Sequence, residues 1–137
     1  MALFKITMNH SYVNPPELTK PIGYTHVVKS APGRTIYISG QIAFDNDGKV
    51  VGAGDFRAQT IRVFENLKAA LAAAGATFDH VVKVTTFITD MKNAPILREV
   101  RTNYFGKNPP AGTLVQIAGL VVPELMIEIE AVAVVSE

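Results

Sequence analysis

The sequence has no cysteine and no tryptophan among its 137 residues, and neither acidic nor basic residues dominate it. The absence of cysteine excludes disulfides, thiolate nucleophiles and thiolate metal sites, and it is typical of a reducing compartment. The 13 basic and 12 acidic residues give a net charge of +1, so nucleic acid and anionic membranes are not expected partners. No apolar run approaches membrane-spanning length, and no signal-peptide pattern is found. These features together predict a cytoplasmic protein.

The residues that are present are sufficient for one packed domain. Hydrophobic residues make up 48% of the chain, and a chain of this length typically builds a single core. No repeat, low-complexity tract or block of charge divides the sequence, so residues 1–137 are predicted to form one domain. The three histidines are dispersed and have no zinc-like spacing, so neither a metal nor another cofactor is expected.

The pattern of apolar residues predicts strands, a helix, a strand, a second helix and further strands. The first helix is expected to begin after an N-cap at Asp55 and to end at Gly75, and the second to run from an N-cap at Asn93 to Gly106. Residues 11–23, which contain three prolines, are expected to be an irregular connection. The period-two pattern indicates strands at residues 3–8, 25–30, 35–41, 80–90, 113–118 and 125–135. The buried stripe of the first helix is predicted to be Ile61, Phe64, Leu67, Leu71 and Ala74.

Helices with one apolar stripe each, beside a sheet with one helix-facing side, imply a two-layer α+β domain. On the last predicted strand, alternate residues should face the helices. Those residues are Ile127, Ile129, Ala131 and Ala133. The opposite face would carry Met126, Glu128, Glu130, Val132 and Val134. Since no helix remains to cover the apolar residues of that second face, the pattern predicts a partner subunit.

Three segments of the chain resemble the Rid family, also called YjgF or RidA-like. They are residues 35–42 (TIYISGQI), 109–120 (PPAGTLVQIAGL) and 126–134 (MIEIEAVAV), and the likeness extends over nearly the whole chain from Gly23 onward. The resemblance implies a chorismate-mutase-like α+β fold, with a mixed sheet and two helices on one face. It also implies a homotrimer with ligand clefts between subunits. The older family labels, endoribonuclease and translation inhibitor, gain little support from a chain without a basic stripe.

The members of this family that hydrolyse imines carry an arginine directly after the Pro-Ala pair. That arginine holds the carboxylate of a small 2-imino acid through two parallel hydrogen bonds, but here its position is Gly112. The resemblance carries over Tyr24, Gly40 and Glu128 as cleft residues, and Leu114 stands where the backbone of a cysteine often meets the ligand. Loss of one partner of such a contact costs about 2–5 kcal/mol. Fast hydrolysis of 2-iminopropanoate is therefore not expected.

Two charged residues each have two interpretations. Arg98 stands where typical members place a cleft asparagine, so it could reach the ligand carboxylate from another wall. Alternatively, Arg98 and Arg101 form the solvated face of the second helix. Glu128 could activate water as a general base, or it could be a structural carboxylate paired with a cation across the trimer.

Two functions remain open from the sequence. The first is a hydrolase or deaminase of a small carboxylate-bearing or imine-like metabolite, with Glu128 as the catalytic residue. The second is a trimer that binds a metabolite without chemistry, or that regulates a partner enzyme. In both cases the same inter-subunit cleft would be used, and its substrate-binding residues would be Tyr24, Gly40, Arg98, Gly112 and Leu114.

Overall fold

The computed structural model describes residues 10–136, and the strand predicted at residues 3–8 lies outside them. Two short strands, β1 (Ser11–Val13) and β2 (Val27–Lys29), form a small antiparallel sheet. The main sheet contains β3 (Arg34–Ile42), β4 (Val81–Ile88), β5 (Ala111–Gln116) and β6 (Ile127–Val135). Helix α1 (Phe56–Ala73) lies between β3 and β4 in the chain, and helix α2 (Ala94–Phe105) lies between β4 and β5.

The main sheet is mixed, and its strand order is β3-β6-β4-β5. Strand β6 runs antiparallel to both of its neighbours, whereas β4 and β5 are parallel. Parallel neighbours cannot be joined by a tight turn, and α2 supplies the crossover between them. Helix α1 packs on β3 and β6 and against α2, and both helices enclose one core with the sheet. This is the two-layer α+β architecture that the sequence predicts.

The ends of α1 lie where the sequence places them. The side chain of Asp55 accepts a hydrogen bond from the backbone N–H of Ala58 at 3.0 Å, which satisfies one of the free donors of the first turn. Gly75 follows the helix with φ of +72°, a conformation that favours glycine. At the start of α2, in contrast, Asn93 makes no side-chain capping bond, because a short 3₁₀ turn at Met91–Asn93 leads directly into the helix.

The buried face of α1 differs in part from the predicted stripe. Phe64, Leu67 and Leu71 are buried as expected, but Ile61 is 43% exposed and Ala74 is exposed. The true face keeps these three residues, extends toward the start of the helix and includes two polar residues that a hydrophobic pattern does not reveal. Its other buried members are Phe56, Gln59, Thr60 and Val63.

Gln59 is fully buried and connects two loops across α1. Its Nε2 donates to the carbonyls of Gly52 at 3.2 Å and Glu124 at 2.8 Å, and its Oε1 accepts from the backbone N–H of Met126 at 2.8 Å. One side chain thus satisfies backbone groups of the loop before α1 and of the segment that enters β6. Gln59 therefore fixes the start of β6, and it helps to position Glu128, the second residue of that strand.

The N-terminal part of the described chain is more ordered than predicted. Residues 11–23 are not wholly irregular, because β1 pairs with β2 from Ser11 opposite Lys29 to Val13 opposite Val27. Strand β2 is also shorter than the predicted 25–30, and it pairs with β1. The reason is that Thr25 bonds elsewhere, to the chain just before β5.

Strand β6 alternates between the two faces of the sheet as predicted. Ile127, Ile129, Ala131 and Ala133 are buried under the helices, while Glu130 is exposed on the other face. We call this other face, which carries Tyr37, Thr85, Phe87, Glu130 and Val132, the open face. Val134 is an exception on that side, since only 6% of it is exposed. Within residues 10–136 no helix is both long and apolar enough to cross a membrane.

Candidate functional site

The carboxylate of Glu128 lies directly against Gly40. The pairing of β3 with β6 shifts register between Ile38 and Gln41, which places the backbone of Gly40 beneath the Glu128 side chain. A Cβ atom at position 40 would lie 2.1 Å from Glu128 Oε1 and 2.8 Å from its Cδ. The glycine is therefore needed for space, and its φ is not in the left-handed region. The bulge and the missing side chain together leave the Glu128 carboxylate half-buried at the sheet surface.

Glu128 has no cationic partner among residues 10–136. The ion pair found in that part of the chain joins Arg57 to Glu99 on the surface of the helices. Lys83, which also lies on the open face, directs its Nζ to Thr113 Oγ1 at 2.7 Å. The Glu128 carboxylate therefore stays available to a ligand, to water or to a second protein chain.

A second group of residues surrounds Tyr24 at the start of β5. The backbone N–H of Thr25 donates to the carbonyl of Pro110 at 3.1 Å, and its hydroxyl donates to the carbonyl of Pro109 at 2.5 Å. These two bonds hold Tyr24 beside Gly112, so that a Cβ at Gly112 would lie 3.7 Å from Tyr24 Cβ. We call this group, formed by Gly23, Tyr24, Thr25 and Gly112, the Tyr24 corner.

His26 supports the Tyr24 corner from one side. Its ring meets the ring of Tyr24 edge to face, with centroids 5.2 Å apart and planes at 82°. The Nε2 atom of His26 lies 2.6 Å from the carbonyl oxygen of Thr19, and its backbone N–H donates to Asn14 Oδ1 at 2.8 Å. With its backbone and ring both engaged, His26 restrains the tyrosine ring through packing.

Gly112 and Leu114 belong to β5, which begins two residues earlier than predicted. Gly112 pairs with Val84 and Leu114 pairs with Thr86 on the parallel neighbour. Because β5 is an edge strand of the main sheet, one row of its backbone groups has no neighbouring strand among the described residues. A Cβ at Gly112 would meet Tyr24 and Val84 at 3.7 Å, an ordinary contact, so a side chain at this position is sterically possible.

Two arginines of α2, Arg98 and Arg101, differ in environment. Arg98 is exposed, whereas Arg101 is half-buried and its Nε has no hydrogen-bond partner among residues 10–136. The Nη2 atom of Arg101 lies 2.6 Å from the Cβ position of Gly23, so the guanidinium rests on the backbone directly before Tyr24. Burial lowers the pKa of Arg101, and the positive charge of Arg98 lowers it further. The interpretation of both arginines as a solvated face is therefore wrong for Arg101.

Comparison with known proteins agrees with this fold. The model of the family described as endoribonuclease L-PSP matches residues 17–135. The chain belongs to this family, which is the Rid or YjgF family. A RutC family protein of Pyrococcus abyssi is 40% identical over 115 residues, which cover 83% of this chain and 88% of the relative.

Two solved structures of this family extend the comparison to three dimensions. YyfB of Yersinia pestis, a member of the conserved Rid family whose function is unknown, superimposes with a TM-score of 0.87. It is 37% identical, with 93% of this chain and 100% of that chain covered. TdcF of E. coli, solved with bound serine, has a TM-score of 0.68 and is 33% identical, with 74% and 81% covered.

Within one copy of this Rid-family chain, the two groups of candidate residues do not meet. Glu128 pairs with Phe87, and Phe87 pairs with Val115, so these three residues share the open face. Gly112 precedes Val115 by three residues and therefore points to the opposite face. Two strand spacings and three residues along a strand separate Gly112 from Glu128 by roughly 14 Å. A metabolite of a few carbon atoms cannot contact both groups in one copy.

Arg101 is the residue near this site that the sequence analysis assigned wrongly. A signal for its burial was present, because Arg101 lies four residues after Leu97 and four before Phe105, both of which are buried. Residues four apart share one face of a helix. The half-buried position of Arg101 follows from that spacing, whereas its contact with Gly23 depends on the tertiary fold.

Proposed function

We propose that this Rid-family chain binds a small carboxylate-bearing metabolite in a cleft between two copies, and that it hydrolyses an imine or a similar carbonyl derivative there. The observation that carries the proposal is the contact of the Glu128 carboxylate with Gly40. It places a carboxylate that has no cationic partner among residues 10–136 over a strand position without a side chain. A carboxylate in such a place can accept a proton from water.

The separation of the two residue groups supports a cleft shared between subunits. Glu128 and Gly40 would come from one copy, and the Tyr24 corner on the edge strand β5 from the next. The open face supports assembly, because Tyr37 on it is 81% exposed beside a groove of about 280 Å³. The groove is lined by Tyr37, Ser39, Lys83, Thr85, Glu130 and Val132. Three copies in a ring form a closed arrangement in which each open face and each edge strand meets a neighbour.

The proposed reaction is the addition of water to a carbon–nitrogen double bond. Glu128 takes a proton from water as the oxygen bonds to the carbon of the protonated imine, which produces a neutral carbinolamine. Glu128 then returns this proton to the nitrogen, the carbon–nitrogen bond breaks, and ammonia leaves as the hydroxyl group releases its proton to solvent and becomes the carbonyl. Because position 112 is glycine, the carboxylate of 2-iminopropanoate cannot be held from β5 in the way that the resemblance implies for the deaminases, so 2-iminopropanoate is not the substrate for which this cleft is best suited.

The test is ammonia release from 2-imino acids that an amino-acid oxidase generates in situ. The native protein should accelerate hydrolysis of at least one 2-imino acid larger than 2-iminopropanoate, and Glu128→Gln should lose this activity. Gly112→Arg should raise turnover of 2-iminopropanoate about 100-fold, since an anchored carboxylate contributes 2–5 kcal/mol. If neither the native protein nor Gly112→Arg accelerates any of these reactions, the hydrolase proposal is wrong.

A non-catalytic binding role is the second candidate. The observation that favours it is serine bound to the related TdcF of E. coli, a small amino acid in a protein of the same fold. Titration of the native protein with L-serine distinguishes the two functions. Saturable binding of L-serine, with no product formed from any 2-imino acid, would favour the binding role over the hydrolase.

A further inference from the structure

We propose that Arg101 is the carboxylate-binding residue of this chain, and that it takes the role of the arginine that the deaminases carry at position 112. The inference rests on the proposed function, because it identifies the cation of the same cleft. The carboxylate of the ligand would then be bound from α2, by Arg101, and not from position 112 on β5. The expected ligand is a small organic anion with a free carboxylate.

The position of the guanidinium is the first reason. Arg101 Nη2 lies so close to the Gly23 backbone that any Cβ there would approach it to 2.6 Å. Gly23 also has φ of +76°, so both the space and the backbone conformation favour glycine. The next residue is Tyr24, which lies beside Gly112. The Arg101 guanidinium therefore rests on the residue directly before Tyr24. Tyr24 is also the residue that an arginine at position 112, as in the deaminases, would lie beside.

The missing partners of Arg101 are the second reason. Its Nε is buried, and within residues 10–136 that atom has no acceptor and the guanidinium forms no ion pair with a carboxylate. A half-buried guanidinium without a counter-ion costs free energy, since water no longer solvates it fully. Arg98, one turn earlier, adds a second positive charge close enough to lower the pKa of Arg101. An anionic ligand beside Arg101 would supply the missing counter-ion, and it would also offset the repulsion between Arg98 and Arg101.

The test compares binding of pyruvate with binding of pyruvamide, its neutral amide, by isothermal titration. The two probes have nearly the same shape, so their affinity ratio reports the contact with the carboxylate. The native protein should prefer pyruvate by about 30-fold or more, the range for a desolvated charge contact. Arg101→Met should abolish the preference, and Arg101→Lys should retain part of it. Lys68→Met, the matched control on the exposed surface of α1, should keep the preference within about threefold. Arg98→Met is measured beside it as the competing arginine of α2.

Several results would overturn the assignment. One is a preference for pyruvate that survives in Arg101→Met, and another is a native protein with no preference. Loss of the preference only in Arg98→Met would assign the contact to Arg98 instead. Thermal unfolding without ligand excludes misfolding as a cause, because Met removes an unpaired buried charge and should not lower the melting temperature.

The same variants separate this inference from the proposed hydrolysis. If native protein prefers pyruvate through Arg101 while Glu128→Gln changes no turnover, the hydrolase proposal fails and the carboxylate contact stands. If Glu128→Gln abolishes turnover while Arg101→Met keeps the preference, hydrolysis stands and the assignment of Arg101 fails.

Discussion

The carboxylate of Glu128 occupies the space that a side chain at position 40 would need. The distance from Glu128 Oε1 to a Cβ at Gly40 would be 2.1 Å, shorter than any normal contact between these atoms. The register shift in β3 brings the two residues together, since Gln41 is already paired with Ile129 and Ile42 with Glu128 itself. The candidate catalytic carboxylate is therefore positioned by the shape of the backbone beside it.

Gly40→Ala should displace Glu128, because the new methyl group cannot share its space. We expect a loss of about 1–3 kcal/mol in the free energy of unfolding and loss of Glu128-dependent turnover. The double variant Gly40→Ala/Glu128→Ala should recover most of the lost stability, since the clash is removed. Gly119→Ala is the matched control, because nothing lies within 4 Å of its Cβ position. Chemical denaturation measures all four proteins, and equal stability of Gly40→Ala and native protein would contradict the contact.

Gln59→Leu should be among the more destabilising polar substitutions in α1. Leucine has a similar volume but leaves the carbonyls of Gly52 and Glu124 and the N–H of Met126 without their partner. Buried groups without a partner cost about 1–3 kcal/mol each, so a total loss of about 3 kcal/mol is expected. Gln116→Leu breaks an exposed bond to the N–H of Met91 and should cost less than about 1 kcal/mol. Similar unfolding midpoints for the two variants would contradict this account.

Thr85→Glu tests whether the open face is covered by other copies. Thr85 pairs across the sheet with Glu130, so the substitution places two carboxylates side by side on the proposed interface. Native protein should have a solution mass near three times the 14.8 kDa of one chain, and Thr85→Glu should dissociate. Thr102→Glu adds the same charge to the exposed side of α2 and should leave the mass unchanged. Sedimentation equilibrium makes the measurement, and a native protein of single-chain mass would contradict the trimer.

Tyr104 should make stability fall with increasing pH above about 10, the usual pKa of tyrosine. Burial raises the pKa of Tyr104, and the charge of Glu65 and the hydrogen bond from the phenol to its carboxylate at 3.2 Å raise it further. The folded protein therefore retains a proton that the unfolded chain releases. This contribution is complete below the unfolded pKa and is lost as the pH rises through the folded pKa.

Denaturation between pH 8 and 11 tests this prediction. The stability of native protein should decline more steeply than that of Tyr104→Phe, which has no phenol to ionise. Parallel curves for native protein and Tyr104→Phe would show that Tyr104 does not contribute.

Much of the fold could be predicted from local patterns in the sequence. The alternation of β6 and the N-cap at Asp55 depend on neighbours a few residues away, and both were predicted correctly. The buried face of α1 was predicted less well, because Gln59 and Thr60 are polar and yet buried. Their burial depends on partners such as Glu124, 65 residues further along the chain. No periodic pattern contains that information.

For the candidate site, the sequence by itself determined the family likeness and the absence of a side chain at Gly112. Those are statements of residue identity, and they need no coordinates. Tertiary structure alone decided that Glu128 lies on Gly40, that Arg101 rests on Gly23, and that these two groups lie apart in one copy. The physical reason is that strand order and register place residues far apart in the chain next to each other. Side-chain contacts over such distances come from the packing of the whole domain.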